Sequence, residues 1–257
     1  MPQQGAACRG DSGNGVLRLV VFDFDQTLTR FHVFKTLAGW AAGGRSSFEV
    51  PAPHASSEEG QLCRIDELNR NEFQKAGGFA CAAFGGASRV DEVGKMLRTL
   101  REREAELIIC TKGLVGPVKK CLLDLDLLQH FSEVYGNIGS NYGLLAYDRE
   151  ASTAQTPALA ELLGRPDQAS WGTKDRLISL LMRERGLQFE QCALVEDDPD
   201  EIQRAQRVCR TLYVQEASGM MAEHNRTLVR WVSEPAAAGA LDEGRGPSAS
   251  RWACALM

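Results

Sequence analysis

The sequence predicts a three-layer α/β fold: a parallel sheet with helices on both faces, and a small, mainly helical cap inserted after the first strand. Three observations lead there. Five short apolar runs are spaced along the chain. Amphipathic segments with helix start and stop signals separate them, which implies parallel strands joined by crossovers. The first and fourth runs end abruptly in acids, at Asp23 and at Glu196-Asp197.

The strand candidates are Leu19–Phe24, Leu107–Cys110, Val134–Ile138, Cys192–Val195 and Thr211–Val214. They are short, and four contain β-branched residues, as strands buried on both faces should. Four helices are expected between and after them. Ser88 with Asp91 resembles a capping box ahead of the stripe Val90, Val93, Leu97 and Leu100. Pro117 suits a first helical position, with Val118, Cys121, Leu122 and Leu125 behind it. Thr173 can cap a helix with apolar face Leu177, Leu180 and Leu181, stopped by Gly186. Asp200 can begin another that runs to about Arg210.

Two stretches fall outside this alternation. Residues 30–87 carry helical patterns at Phe34, Leu37 and Trp40, and again at Leu62, Ile65 and Leu68; they are expected to form the cap. Residues 139–170 read as a long loop with a helical piece at Pro157–Leu163. The expected division is a disordered N-terminus over 1–15, a core over 16–29 and 88–232, the cap over 30–87, and a flexible tail over 233–257.

Bulk properties narrow the function. The chain has 257 residues, 44% apolar and 25% charged, an ordinary balance for a globular protein able to bury its core without staples. A formal charge of −5 and the lack of a basic stripe interleaved with aromatics argue against a nucleic-acid binder. Eight cysteines match no zinc spacing, and Cys110, Cys192 and Cys209 lie in apolar runs as buried thiols. With no signal sequence and no membrane-length apolar stretch, a reducing, cytoplasmic setting is expected. The final Cys254-Ala255-Leu256-Met257 fits a prenylation signal with Met favouring farnesyl, though basic support from Arg245 and Arg251 is thin. One lipid there would give only weak, reversible membrane association.

The chemistry concentrates in Val20-Val21-Phe22-Asp23-Phe24-Asp25-Gln26-Thr27-Leu28. Ligands of open parallel sheets bind at the carboxyl ends of strands, where both acids fall. Residues i and i+2 of an extended segment share a side. Paired carboxylates repel, so one takes a proton unless a cation intervenes, and Mg²⁺ prefers such oxygen ligands. Asp23 can then stay ionised as a nucleophile while Asp25 carries a proton. Two capping acids at a strand–loop junction are the plainer alternative.

With its Asp-x-Asp-x-Thr run after a strand, the chain resembles the haloacid dehalogenase-like superfamily, whose four short motifs are matched in order from about residue 19 to 202. The resemblance implies a Rossmann-like core and phosphatase chemistry. By it, Asp23 forms an aspartyl-phosphate, and Asp25 protonates the leaving oxygen and then deprotonates water. Gln26 stands where many members have Gly, with little consequence expected. An acid at position 25 favours phosphoryl chemistry, since dehalogenating members lack it.

The second motif is Leu107-Ile108-Ile109-Cys110-Thr111-Lys112-Gly113, where the Thr111 hydroxyl and the following amides can hold a phosphate oxygen. Lys174 corresponds to the third, as the cation that steadies nucleophile and phosphate, with Lys112 as its rival. The fourth is the acidic run Glu196-Asp197-Asp198-Pro199-Asp200-Glu201. Asp197 is the implied Mg²⁺ ligand beside Asp23 and the Asp25 backbone carbonyl. Thr27, Glu196, Asp198 and Glu201 are supporting residues, Glu201 acting through water or by orienting Lys174. An acidic helix start accounts equally for Asp200 and Glu201. His32, Phe31 and Trp40 follow the first motif and can touch substrate from the cap.

The implied function is Mg²⁺-dependent hydrolysis of a small phosphorylated metabolite. Alternatives are a phosphotransferase or phosphomutase of the same superfamily, or a non-catalytic protein using the fold as a binding platform.

Overall fold

The computed structural model describes residues 15–39, 56–155, 157–167, 172–215 and 218–235, with side chains of 151–158 left aside. The expectations for the N-terminal segment before Gly15, for Trp40 and for Cys254 lie outside these residues.

Five strands form one parallel sheet: β1 (Leu19–Phe22), β2 (Glu106–Leu114), β3 (Glu133–Asn137), β4 (Cys192–Glu196) and β5 (Arg210–Tyr213). Their order is β3-β2-β1-β4-β5, and every pairing is parallel. From β1 the chain winds one way through β2 and β3, then crosses to β4 and β5. β1 and β4 therefore flank the point where the winding reverses, the place where such sheets bind ligands.

Alternation along the strands divides the core. Val20, Phe22, Leu107, Ile109, Ala193 and Val195 point to one face. That face is covered by α4 (Ala87–Glu102), α5 (Val115–Asp124) and α10 (Ala222–Ser233). Leu19, Val21, Ile108, Cys110, Cys192 and Leu194 point to the other, covered by α8 (Lys174–Arg185) and α9 (Pro199–Ala205). The period of two follows from the pleat. Both faces are apolar and both are buried, which is the expected three-layer fold.

Between β1 and β2 the described residues form α1 (Val33–Leu37), α2 (Glu58–Arg70) and α3 (Phe79–Phe84) ahead of α4. Leu37, Ile65, Leu68, Phe79 and Phe84 of these helices join the same apolar cluster as Phe22 and Ile109. Ser57 caps α2, accepting from the Gly60 amide at 3.0 Å.

Several local expectations are corrected. α4 begins at Ala87 behind Gly86, whose φ of 100° only glycine adopts comfortably, and Ser88 supplies no cap. Pro117 is the third residue of α5, still within the first turn where its missing N–H costs nothing. Thr173 precedes α8 without a side-chain cap, whereas Gly186 ends it at φ 64° as expected. The helix expected from Asp200 is the shorter α9, with Asp198 as its cap through the Asp200 amide at 2.9 Å.

The expected long loop after β3 contains α6 (Leu145–Gln155) and the short α7 (Pro157–Ala160). Asp148 on α6 is buried and accepts from the Glu59 amide at 3.0 Å, tying α6 to the start of α2.

Candidate active site

Asp23 leaves the strand but not the sheet: its amide still donates to the Val195 carbonyl of β4 at 2.9 Å. That bond fixes the acid between β1 and β4. Its side chain is buried, and Oδ1 accepts from Lys174 Nζ at 2.5 Å. Lys174 is the first residue of α8 and is itself buried. The same ammonium donates to Glu196 Oε2, so one cation serves two carboxylates.

Glu196 is committed on both oxygens. Oε1 accepts from the Asp197 and Asp198 amides at 3.1 and 3.0 Å. Those bonds shape the turn from β4 into α9 and present Asp197 beside Asp23. Asp197 Oδ1 in turn accepts from the Thr27 hydroxyl at 3.0 Å. Asp23, Glu196 and Asp197 each offer an oxygen, all within 4.8 Å of one another. These are hard oxygen donors, suited to a small divalent cation.

The electrostatics agree with that suitability. Burial raises the Asp23 carboxyl to about 6, against the pull of Lys174 and with a further push from Asp25 and Asp197. Burial and then Asp23 raise Glu196, and burial raises Asp197. The two carboxylates hold Lys174 protonated, well above the ordinary ammonium range, although burial opposes this. Three carboxyls share one lysine here, and a divalent cation among them would favour their ionised forms.

Asp25 faces the other way, toward α1. Its Oδ1 accepts from the Val33 amide at 2.6 Å and the Phe34 amide at 3.4 Å, capping a helix that lacks a cap of its own. Oδ2 is buried and has no hydrogen-bond partner. His32 Nδ1 lies 3.0 Å from it, but the two are not aligned for a hydrogen bond.

Thr111 and Gly113 sit where β2 slips register against β3, between Cys110 and Leu114. The irregularity turns the Gly113 amide onto Thr111 Oγ1 at 2.9 Å. A Cβ on Gly113 would stand 3.3 Å from both Asp25 Oδ2 and Thr111 Oγ1. The missing side chain thus leaves a small cradle between the motifs after β1 and β2.

The structure brings Asp23, Lys174, Glu196, Asp197 and Thr27 into one hydrogen-bonded group, with Asp25 and Thr111 at the Gly113 cradle. It directs the rest elsewhere. Lys112 is exposed and pairs with Asp198 at 3.1 Å and Glu201 at 3.0 Å, while Lys174 holds Asp23. Glu201 also pairs with Arg204 at 3.1 Å and accepts from the Lys174 backbone amide at 3.4 Å, so it holds the start of α8 through the main chain. Phe31 packs edge-on against Phe79, its ring centroid 5.8 Å away.

Gln26 has φ 61°, in the left-handed region that costs a non-glycine residue about 1 kcal/mol or more. Thr29 stabilises the same turn, accepting from the Gln26 amide at 3.1 Å and donating to the Phe24 carbonyl at 3.0 Å.

The sequence profile described as haloacid dehalogenase-like hydrolase matches residues 17–208, most of the chain and all of the site. The chain belongs to the haloacid dehalogenase-like hydrolases. No curated protein matches it. Among solved structures it is similar to a haloacid dehalogenase-like family hydrolase from Streptococcus pneumoniae, with 14% identity, 82% of this chain and 90% of that chain covered, and a TM-score of 0.40. It is also similar to a predicted phosphoglycolate phosphatase from Haemophilus somnus, with 15% identity, 77% and 84% covered, and a TM-score of 0.40. A third is the HAD domain of the effector protein Lem4 from Legionella pneumophila, with 12% identity, 86% and 96% covered, and a TM-score of 0.47. As a haloacid dehalogenase-like hydrolase, this chain presents its acids at the ends of β1 and β4 with a buried lysine between them.

Proposed function

We propose that the chain is a Mg²⁺-dependent phosphomonoester hydrolase that works through an aspartyl-phosphate on Asp23. The observation that carries this reading is the buried Lys174 ammonium, 2.5 Å from Asp23 Oδ1, with Asp25 Oδ2 and Thr111 meeting at the Gly113 cradle close by. Nucleophile, cation, a free carboxyl oxygen and a space without a side chain are what phosphoryl transfer requires.

Asp23 attacks phosphorus, and the bond to the leaving oxygen breaks as that oxygen takes a proton from Asp25. Water then attacks the phosphorus of the aspartyl-phosphate and gives a proton to Asp25. Inorganic phosphate leaves and Asp23 is regenerated. Lys174 holds the nucleophile throughout. The Thr111 hydroxyl, which accepts from the Gly113 amide, donates to a phosphoryl oxygen. Asp23 and Asp197 would hold Mg²⁺, since both Glu196 oxygens are already engaged; bound there, the ion would neutralise charge on the phosphoryl group. In this reading residues 30–87 are the cap, which limits what reaches Asp23, and the substrate is a small phosphorylated metabolite.

Hydrolysis of 4-nitrophenyl phosphate tests the proposal. Wild type should require Mg²⁺ and lose activity in EDTA, and Asp23→Asn should be inactive with an unchanged circular dichroism spectrum. An Asp23→Asn variant as fast as wild type, or indifference to EDTA, would refute it.

A further inference from the structure

Asp25 Oδ2 carries no hydrogen bond and lies 3.0 Å from His32 Nδ1, and its position says where the alcohol of the substrate must lie. Oδ1 is held by the Val33 and Phe34 amides, so Oδ2 is the oxygen that exchanges a proton with the ester oxygen. The phosphoryl group fills the cradle at Gly113, and the alcohol must leave past Oδ2 on the side of α1.

That side is aromatic. Phe34 Cβ is 3.8 Å from the point a Gly113 Cβ would occupy, the same point that Asp25 Oδ2 flanks. The Phe34 ring is stacked on Tyr142, with centroids 5.9 Å apart and planes at 19°. Leu114 and Ala38 back Phe34. Phe34 is only 8% exposed, whereas Tyr142 is 38% exposed and presents an open ring. A ring partly open to solvent can take a flat partner in stacked geometry.

The Asn137 side chain, which interacts with the Tyr142 hydroxyl, donates to the Lys112 carbonyl of β2 at 2.6 Å. Lys112 is turned to Asp198 and Glu201, and the His32 ring lies against Asp25 Oδ2 at 3.0 Å.

We propose that Phe34 and Tyr142 form a platform for the alcohol portion of the substrate, and that the preferred substrates are phosphomonoesters of flat aromatic or heteroaromatic alcohols. This rests on the phosphomonoesterase reading above. Benzyl phosphate and cyclohexylmethyl phosphate test it, because they are primary-alcohol esters of similar bulk that differ in flatness. Wild type should show the higher kcat/KM on benzyl phosphate. Tyr142→Phe should keep that preference, and Tyr142→Leu should lower it about two- to tenfold, mainly through KM, the range for one aromatic contact. No wild-type preference for benzyl phosphate, or an undiminished preference in Tyr142→Leu, overturns the inference and leaves the phosphatase reading standing. Failure of wild type to hydrolyse either ester with Mg²⁺ overturns both.

Discussion

Replacing Lys174 by Met removes the only ammonium bonded to both Asp23 and Glu196 among the described residues. The side chain is 1% exposed, so water does not replace it. Breaking a buried ion pair from one side costs about 3–5 kcal/mol, because the remaining charge is stranded. For a domain of this size that lowers Tm on the order of 10 °C. The loss should depend on pH in a definite direction. Burial already raises both carboxyls, and Lys174 is what pulls them down. Without it both rise further above their unfolded values, so the folded state binds more protons and its stability falls as pH rises. Urea unfolding in EDTA should therefore show a small cost near pH 5 that grows from about pH 6, where Asp23 ionises beside Lys174, and is still rising at pH 8. Added Mg²⁺ should restore part of it. A variant within about 1 kcal/mol of wild type at pH 8, or a cost independent of pH, would refute the view that Lys174 neutralises this pair.

Two further outcomes follow from single groups. Gly113→Ala should raise KM for any phosphate ester with little change in Tm, because its methyl would stand 3.3 Å from Asp25 Oδ2 and Thr111 Oγ1, inside the cradle; steady-state kinetics at saturating Mg²⁺ would show it, and an unchanged KM would place the phosphate elsewhere. Glu58 is buried against the Gly116 and Gly164 amides, and burial raises its carboxyl from 4.5 to about 7. Its folded value lies above the unfolded one, so its contribution to stability is lost as pH rises from about 4.5 through about 7, by at most about 3 kcal/mol. Glu58→Gln should flatten the urea-unfolding slope over that window, and parallel slopes would contradict it.

The strands and the candidate acids were legible in the sequence because the acids interrupt apolar runs. Buried strands are continuous apolar runs, and Asp23, Asp25, Glu196 and Asp197 end such runs where a plain fold would place turn residues. Lys174 was legible only by resemblance, since a lone lysine carries no signal of burial. Helix starts were read less well because several carry no local side-chain cap, as α1, α4 and α8 show. Asp25 caps α1 from 8 residues away, and Asp148 meets the start of α2 from 89 residues away. α6 was missed because the large apolar residues of Leu145–Gln155 are only Leu145 and Tyr147, and its tie to α2 is a buried carboxylate rather than an apolar stripe.

Arg89 illustrates the same limit. It reads as a surface charge on α4, yet it donates to the Leu28, Phe84 and Met220 carbonyls and fastens the segment after the first motif. Glu196 offered a signal, an acid directly at a strand end. Its double service to Lys174 and to two backbone amides appears only in three dimensions. Tyr142 offered none, because nothing in its neighbourhood distinguishes it from a surface tyrosine.

The central claim is that Asp23 carries the phosphoryl group. Acid quenching during turnover of 4-nitrophenyl phosphate with Mg²⁺, followed by peptide mass spectrometry, tests it most directly. A phosphoryl group is expected on the peptide containing Asp23, labile to base and absent from Asp23→Asn. Steady turnover by wild type with no phosphorylated Asp23 peptide at any quench time, or a phosphoryl group on another residue, would contradict it.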